Sequence, residues 1–371
     1  MGGIALETKR LPVVHLITTL DRGGAESQLL VLVKQQVLEN MKISVLFLKG
    51  SGELVQNFEK LGVEVSQLSP SNNLVLQVLR LRKYLKSING AHIIHAHLPQ
   101  AEIIATLSLS SKSKLINSRH FGGQFYPSAN ATLSRLLGKF ASWRSCKVVA
   151  ISNSVRLILV EQNEVREKVP IEVVHYGFNE KDFRKKELEP PTISSRLVRI
   201  GTVARLSPEK DLETLIKGFK KLRAEGMELS LDIVGAGPLL GELTALVEEL
   251  GLSEDVSFLG KTADVGGFMS SLDLFVLTSR FEGFGMVLLE AMSSGCKIVA
   301  ARNSAIPEVL GDQGAGLFFE TGNFHSLAKK IEESLEQKDD GYRQLQIQRL
   351  HIFSVEEMCN KMQRVYEAGP S

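Results

Sequence analysis

The strongest constraint on this chain is a rhythm in its sequence. Short β-branched runs alternate with stretches of helical periodicity, and the alternation runs through twice. Val13–Thr18, Ile43–Leu48, Val63–Leu68, His92–His97, Leu115–Ser118, Val148–Ser152 and Ile171–His175 read as strands. Between them lie amphipathic stretches such as Ala25–Glu39, where Leu29, Leu30, Val33 and Val37 recur at helical spacing. Strands that alternate with helices predict right-handed βαβ units and a parallel sheet. The rhythm restarts at Val198–Val203 and continues through Leu229–Val234, Val256–Leu259, Leu274–Thr278 and Ile298–Ala301. Lys181–Ser195, with clustered charges, Pro190-Pro191 and Ser194-Ser195, reads as the hinge between the halves. The expected α/β architecture is two doubly wound, Rossmann-like domains facing one another across a cleft. Their predicted bounds are 1–187 and 188–353, followed by a C-terminal helix within 354–371. A length of 371 residues gives each domain enough chain for its own core.

Composition excludes several classes. At 43% hydrophobic and 23% charged the chain is neither disordered nor fibrous. No apolar run reaches the roughly 18 residues of a spanning helix, and the opening MGGIALETKR lacks a signal peptide's apolar core. Cys146, Cys296 and Cys359, odd in number and widely spaced, form neither a disulfide framework nor a zinc cluster. The expectation is a soluble protein of the cytoplasm. Charge is uneven: up to Glu187 there are 25 basic and 15 acidic residues, and after it 19 and 27. Between Val75 and Val160 stand twelve Lys/Arg against one acid, Glu102. Such a surface attracts anionic partners.

Open parallel sheets bind ligands beyond the carboxyl ends of their strands. Asp21-Arg22-Gly23-Gly24-Ala25-Glu26 follows the first strand, and Gly23 and Gly24 at a helix start admit an anion close to backbone N–H groups; taken alone, a plain turn is the commoner explanation of the pair. Gly235-Ala236-Gly237-Pro238-Leu239-Leu240-Gly241 has the spacing G-x-G-x-x-x-G, and Pro238 removes an N–H, so a dinucleotide fingerprint and hydride transfer are disfavoured. Arg205-Leu206-Ser207-Pro208-Glu209-Lys210-Asp211 places a guanidinium and an ammonium in one strand-end loop, a pair suited to a diphosphate; a solvated loop with a helix cap at Ser207 or Asp211 explains the segment equally. In Phe281-Glu282-Gly283-Phe284-Gly285-Met286-Val287-Leu288-Leu289-Glu290, a loop carboxylate and a helical one lie eight residues apart around a helix start. Either they hold sugar hydroxyls, or Glu282 caps the helix and Glu290 is a surface residue.

Together, the R-x-S-P-E-K-D loop and the E-x7-E segment resemble family four of the retaining glycosyltransferases, which have the two-domain GT-B fold. Gly23-Gly24-Ala25-Glu26, Ile94-His95-Ala96-His97, Ser118-Arg119-His120, Ile151-Ser152-Asn153-Ser154, Gly235-Ala236-Gly237-Pro238, Phe258-Leu259-Gly260-Lys261 and Ile306-Pro307-Glu308 extend the resemblance over His15 to Gly322. Two departures stand out. Tyr176-Gly177-Phe178-Asn179 replaces the frequent Asn-Gly-Val-Asp, and Thr278 stands where many members have Pro before Ser279. The resemblance implies a C-terminal helix that crosses back to the N-terminal domain. It also implies that Arg205 and Lys210 bind the donor diphosphate and neutralise the departing nucleoside diphosphate, with no metal or other cofactor. Gly23 and Gly24 would form the adjoining loop, Gly24 giving its N–H to the phosphate. Glu290 would hold the ribose and Glu282 a hydroxyl of the transferred sugar. Phe284, Gly285, Met286 and Val287 would steady sugar and phosphate through their amides, and Gly235 and Lys261 would line the nucleobase pocket. His120 would stand near the anomeric carbon.

The implied reaction moves a hexose or N-acetylhexosamine from a nucleoside-diphosphate sugar, UDP favoured over GDP, to a glycan or lipid-linked acceptor, with retained configuration. Two rivals are a non-catalytic sugar-nucleotide-binding subunit and a GT-B epimerase or phosphorylase. His92, His95 and His97 form H-x2-H-x-H, but only His95 and His97 share a strand face, which argues against a metal site. Leu133, Leu136, Leu137, Phe140 and Trp143 form a helical apolar stripe with Arg135 and Lys139 turned away. The preferred reading is a core helix with a basic outer face; insertion into an anionic membrane surface is the other. The basic N-terminal domain points to an anionic acceptor and to peripheral attachment at the inner membrane face. Nucleic acid is disfavoured, since no aromatic residues interleave the basic run in a recognition motif.

Overall fold

The computed structural model describes residues 10–69, 71–126, 129–183, 197–312, 314–337 and 341–367. The chain forms two compact units, one of residues 1–177 with 355–371 and one of 178–354. The exchange falls at Gly177/Phe178 rather than at Glu187. Most of the hinge read from the sequence, from position 184 onward, lies outside the described residues.

The first unit is built on a seven-stranded sheet of β1 (Val13–Ile17), β2 (Ile43–Phe47), β3 (Glu64–Gln67), β4 (His92–His97), β5 (Ser113–Arg119), β6 (Ser145–Ala150) and β7 (Ile171–Val173). Its order is β3-β2-β1-β4-β5-β6-β7, and every pairing is parallel. Alternation along the strands sends side chains to two apolar layers. Val14, Leu16, Ile94, Ala96 and Leu115 join one with Leu81, Leu85 and Ile104 from the helices Leu74–Ser87 and Pro99–Ser108. Val13, Ile93 and Ile116 meet Met358, Cys359, Met362 and Val365 of the C-terminal helix Val355–Glu367 on the other. That helix therefore covers the first unit's sheet, packing beside the helix Gly24–Leu38. Gly177 lets the start of that helix lie close against it: a Cβ there would lie 2.9 Å from the Val355 Cα.

The second unit repeats the plan with β8 (Val198–Val203), β9 (Leu229–Val234), β10 (Val256–Gly260), β11 (Leu274–Leu277), β12 (Lys297–Ala301) and β13 (Leu317–Phe319). The order β10-β9-β8-β11-β12-β13 is again wholly parallel. In both sheets the order reverses beside the first strand, at β1/β4 and at β8/β11. Such reversals splay neighbouring connections to opposite faces and open a crevice at the carboxyl ends.

One helix reverses an expectation. In Ala131–Ala141 the buried positions are Ser134, Gly138 and Ala141, while Leu133 and Leu136 are 47% and 56% exposed. Just beyond it, Trp143 is 54% exposed. The helix seats by its small residues: a Cβ on Gly138 would stand 2.8 Å from the Glu164 carbonyl. Close backbone approach took the core face, so the leucines are left outside.

Candidate functional site

The crevice at β8/β11 is a pocket of about 650 Å³, within the range of small-ligand sites. Arg205, Lys210, Gly235, Lys261, Glu282, Gly285, Met286, Val287 and Glu290 all line it. They come from the loops after β8, β9, β10 and β11, together with the first turns of the helix Met286–Ser294. Phe284 is the exception: its ring is 2% exposed and sits edge-on to Phe353 at 5.4 Å. Val203, Ala204, Val234, Ala236, Thr262 and Val265 complete the wall. These small and apolar residues carry no sequence signal of their own.

Lys210 and Glu282 form one unit. Lys210 Nζ donates to Glu282 Oε1 at 2.6 Å, and Ser279 Oγ donates to the same oxygen at 2.7 Å. Glu282 does not cap the helix, which has no side-chain cap. Its own N–H instead donates to Ser304 Oγ at 2.8 Å. Pro208–Lys210 is a single 3-10 turn, and Asp211 ends it in the left-handed region at φ 49°. Thr278, at the position where the family often has Pro, donates through Oγ1 to the Lys210 carbonyl at 2.8 Å and so ties the end of β11 to the Lys210 turn. The Arg205 guanidinium is 70% exposed, 3.8 Å from Glu209.

Glu290 sits well into the wall. Burial pushes its carboxyl up to about 7, and no charged or hydrogen-bonding neighbour among the described residues offsets that. Glu290 is half-buried rather than fully exposed on the surface. Gly235 has φ +144°, and a Cβ would meet the Ala204 carbonyl oxygen at 1.8 Å. Its N–H donates to the Gly260 carbonyl at 2.8 Å, which joins two of the pocket's loops. Gly285 opens the helix with φ +94°, a conformation that favours glycine.

The other predicted residues belong to the first unit. Gly23 is the N-cap of the helix Gly24–Leu38 in extended backbone, and an added Cβ would strike the Glu26 carboxylate at 2.3 Å. At Gly24 a Cβ meets nothing within 4 Å. His120 follows β5, and both its ring nitrogens are engaged: Tyr176 Oη lies 2.7 Å from Nδ1, and His97 Nδ1 lies 3.1 Å from Nε2. Burial lowers its pKa to about 4, so the ring is neutral. Arg119 points away into the core, 2.9 Å from Glu102 and 3.5 Å from Glu164.

Sequence reasoning missed His15, which pairs in register with His95 across β1 and β4. Nitrogens of His15, His95 and His97 lie within 4.8 Å of one another, all buried. His95 and His97 share a face of β4, and His15 joins them from the neighbouring strand. The signal was present, since a first strand beside the fourth puts His15 level with His95.

The model of glycosyltransferase family 4 matches residues 22–182, and that of glycosyl transferases group 1 matches residues 183–348. The N-acetylgalactosamine-N,N'-diacetylbacillosaminyl-diphospho-undecaprenol 4-alpha-N-acetylgalactosaminyltransferase of Campylobacter jejuni is 26% identical over 348 residues, 88% of this chain and 90% of its own. The putative glycosyltransferase EpsF of Bacillus subtilis is 26% identical, covering 82% of each chain. The structure of Anabaena HepE in complex with UDP superposes with a TM-score of 0.80 at 21% identity, over 96% of this chain and 99% of that one. That likeness establishes the GT-B fold. With the two family models spanning consecutive stretches and full-length relatives on either side, the chain belongs to the family 4, group 1 glycosyltransferases.

Proposed function

We propose that this glycosyltransferase moves a hexose or N-acetylhexosamine from a nucleoside-diphosphate sugar, UDP favoured, to an anionic glycan or lipid-linked acceptor, with retained configuration and without a metal. The observation that carries the donor half is the pocket at β8/β11, which gathers two cations, a carboxylate paired to one of them and a second, half-buried carboxylate. Arg205 and Lys210 hold the diphosphate and stabilise its growing charge as the glycosidic bond breaks. Gly24 adds an N–H to it. Glu290 accepts from the ribose hydroxyls, and Glu282 accepts from a hydroxyl of the sugar while steering Lys210. Gly285, Met286 and Val287 offer the helix start to sugar and phosphate, Gly235 and Lys261 border the base, and His120 borders the sugar. The acceptor attacks the face from which the diphosphate leaves, and a phosphate oxygen takes its proton.

UDP is favoured because HepE was solved with UDP. An acceptor on a lipid diphosphate is in keeping with the Campylobacter relative's substrate and with the basic surface of the first unit. Exposed Leu133, Leu136 and Trp143 beside Arg135, Lys139 and Arg144 give that surface an amphipathic element for the inner membrane face. No helix among the described residues is long and apolar enough to cross a membrane.

The test is calorimetric titration of wild type and Lys210→Ala with UDP, GDP and ADP, followed by turnover with the matching sugar conjugate. Binding of UDP that the variant loses supports the donor site. Release of UDP in proportion to acceptor supports transfer over a binding subunit, and an anomeric proton of unchanged configuration in the product supports retention. Full activity after chelation supports the metal-free mechanism. No nucleotide bound by wild type would sink the proposal.

A further inference from the structure

Seven hydrogen bonds join eight side chains of the first unit end to end. Tyr176 Oη lies 2.7 Å from His120 Nδ1, His120 Nε2 3.1 Å from His97 Nδ1, and His97 Nε2 3.1 Å from His15 Nδ1. His15 Nε2 lies 2.9 Å from Gln36 Oε1, and Gln36 Nε2 3.2 Å from Tyr366 Oη. Tyr366 Oη then lies 2.8 Å from His95 Nδ1, and His95 Nε2 2.7 Å from Ser118 Oγ. Tyr366 comes from the C-terminal helix, and Gln36 from the helix Gly24–Leu38.

A neutral imidazole has one donor and one acceptor, so each ring passes its polarity to the next. With the Gln36 amide donating to Tyr366 and accepting from His15, His15 carries its proton on Nε2. His97 must then donate from Nε2, and so must His120. Reversing one ring alone sets two N–H groups or two lone pairs face to face, a mismatch that buried groups tolerate poorly. Burial holds His15 and His120 near 4 and His95 and His97 well below the ordinary histidine value, so no extra proton relieves a mismatch. The chain thus has only two self-consistent states, and the orientation of the Gln36 amide selects between them.

We infer that Tyr366 is a positioning residue for His120: its bond with Gln36 anchors that amide, whose orientation decides, through His15 and His97, which ring nitrogen of His120 carries the proton. The consequence for catalysis rests on the proposal that His120 borders the transferred sugar; the tautomer itself does not. Because Tyr366 lies beyond the whole second unit in sequence, His120 acquires its tautomer only in a chain whose C-terminal helix has docked.

The full-length protein, labelled with ¹⁵N-histidine, tests this by long-range ¹⁵N–¹H spectra, which read each ring's tautomer without substrate. Wild type is expected to show His15, His97 and His120 in one shared tautomer. Tyr366→Phe, which removes only a hydroxyl, is expected to spread His120 over both. Turnover then falls with the fraction of His120 left in the competent tautomer, about twofold for an even mixture, with the donor KM unchanged. Gln36→Glu added to that variant restores the single tautomer and the rate, because a carboxylate accepts from His15 Nε2 without help. Mixed tautomers in wild type, a single His120 tautomer in Tyr366→Phe, or one bound zinc per chain on His15, His95 and His97 would each overturn the inference. Should His120→Ala keep full turnover, the role of His120 fails, while the spectra still judge the chain of bonds.

Discussion

Lys210 Nζ stands 2.6 Å from Glu282 Oε1, and Ser279 and Thr278 pin the two residues from either side. The two side chains are 20% and 12% exposed, so the pair is screened little by solvent. The ammonium is already aimed before any anion arrives, and the carboxylate retains one oxygen for a sugar hydroxyl. Lys210→Ala is expected to lower kcat/KM by about 10²–10³-fold, the size of effect seen when one charge-stabilising donor is removed, and to weaken UDP binding. Glu282→Gln should keep UDP binding and lose turnover. Titration calorimetry beside steady-state rates distinguishes the two; equal loss of UDP affinity in both variants would refute the division of roles.

Two of the site glycines, Gly235 and Gly24, differ sharply in the space around them. Gly235 combines φ +144° with a carbonyl oxygen 1.8 Å from any Cβ. Gly235→Ala should therefore destabilise the protein by at least about 1–3 kcal/mol from backbone strain alone, and lower Tm visibly. Gly24 has open space, so Gly24→Ala should leave Tm within a degree or two of wild type while weakening donor binding. Thermal unfolding with and without UDP checks both. A stable Gly235→Ala protein would contradict the geometry.

The two sheets were legible because β-branched runs and helical periodicity are strong local signals, and the pocket residues were legible because charge and glycine sit at strand ends. Other features were hidden for physical reasons. His15 lies far in sequence from His95 and His97, and only sheet order makes them neighbours. Tyr176 stood out as a departure from the family pattern, but its bond to His120 depends on a loop whose path no periodicity fixes. The stripe of Leu133 and Leu136 misled outright. Hydrophobic periodicity marks the side of a helix that avoids water; it does not say that the avoidance is satisfied within the same chain.

Glu290 predicts a pH dependence. Burial holds its carboxyl near 7 in the folded chain, against about 4.3 unfolded. The folded state keeps a proton that the unfolded chain has released, so this group's contribution to stability is greatest below pH 4 and is lost as pH rises to 7. Ribose hydroxyls donate best to the ionised form. UDP affinity should therefore strengthen between pH 6 and pH 8, and Glu290→Gln should flatten that rise. The titration of UDP's own phosphate persists in the variant and serves as the control. Parallel pH profiles for the two proteins would remove Glu290 from the ribose role.

The exposed leucines give the last prediction. Leu136 at 56% and Trp143 at 54% exposure lie outside the core, Trp143 touching only Phe140 and Arg166 among the described ring contacts, so Leu136→Ser with Trp143→Ser should lower Tm by no more than a few degrees. Against vesicles, the same pair supplies the apolar face, and Arg135, Lys139 and Arg144 supply attraction to anionic headgroups at about 1 kcal/mol each. Wild type should sediment with phosphatidylglycerol-containing vesicles at low salt and come off as salt screens the charges. The serine variant should stay in solution at both. Neutral phosphatidylcholine vesicles separate apolar insertion from charge: retention there would mean the leucines act alone. If wild type ignores anionic vesicles at low salt, the membrane role falls and the basic surface is left for a water-soluble anionic glycan.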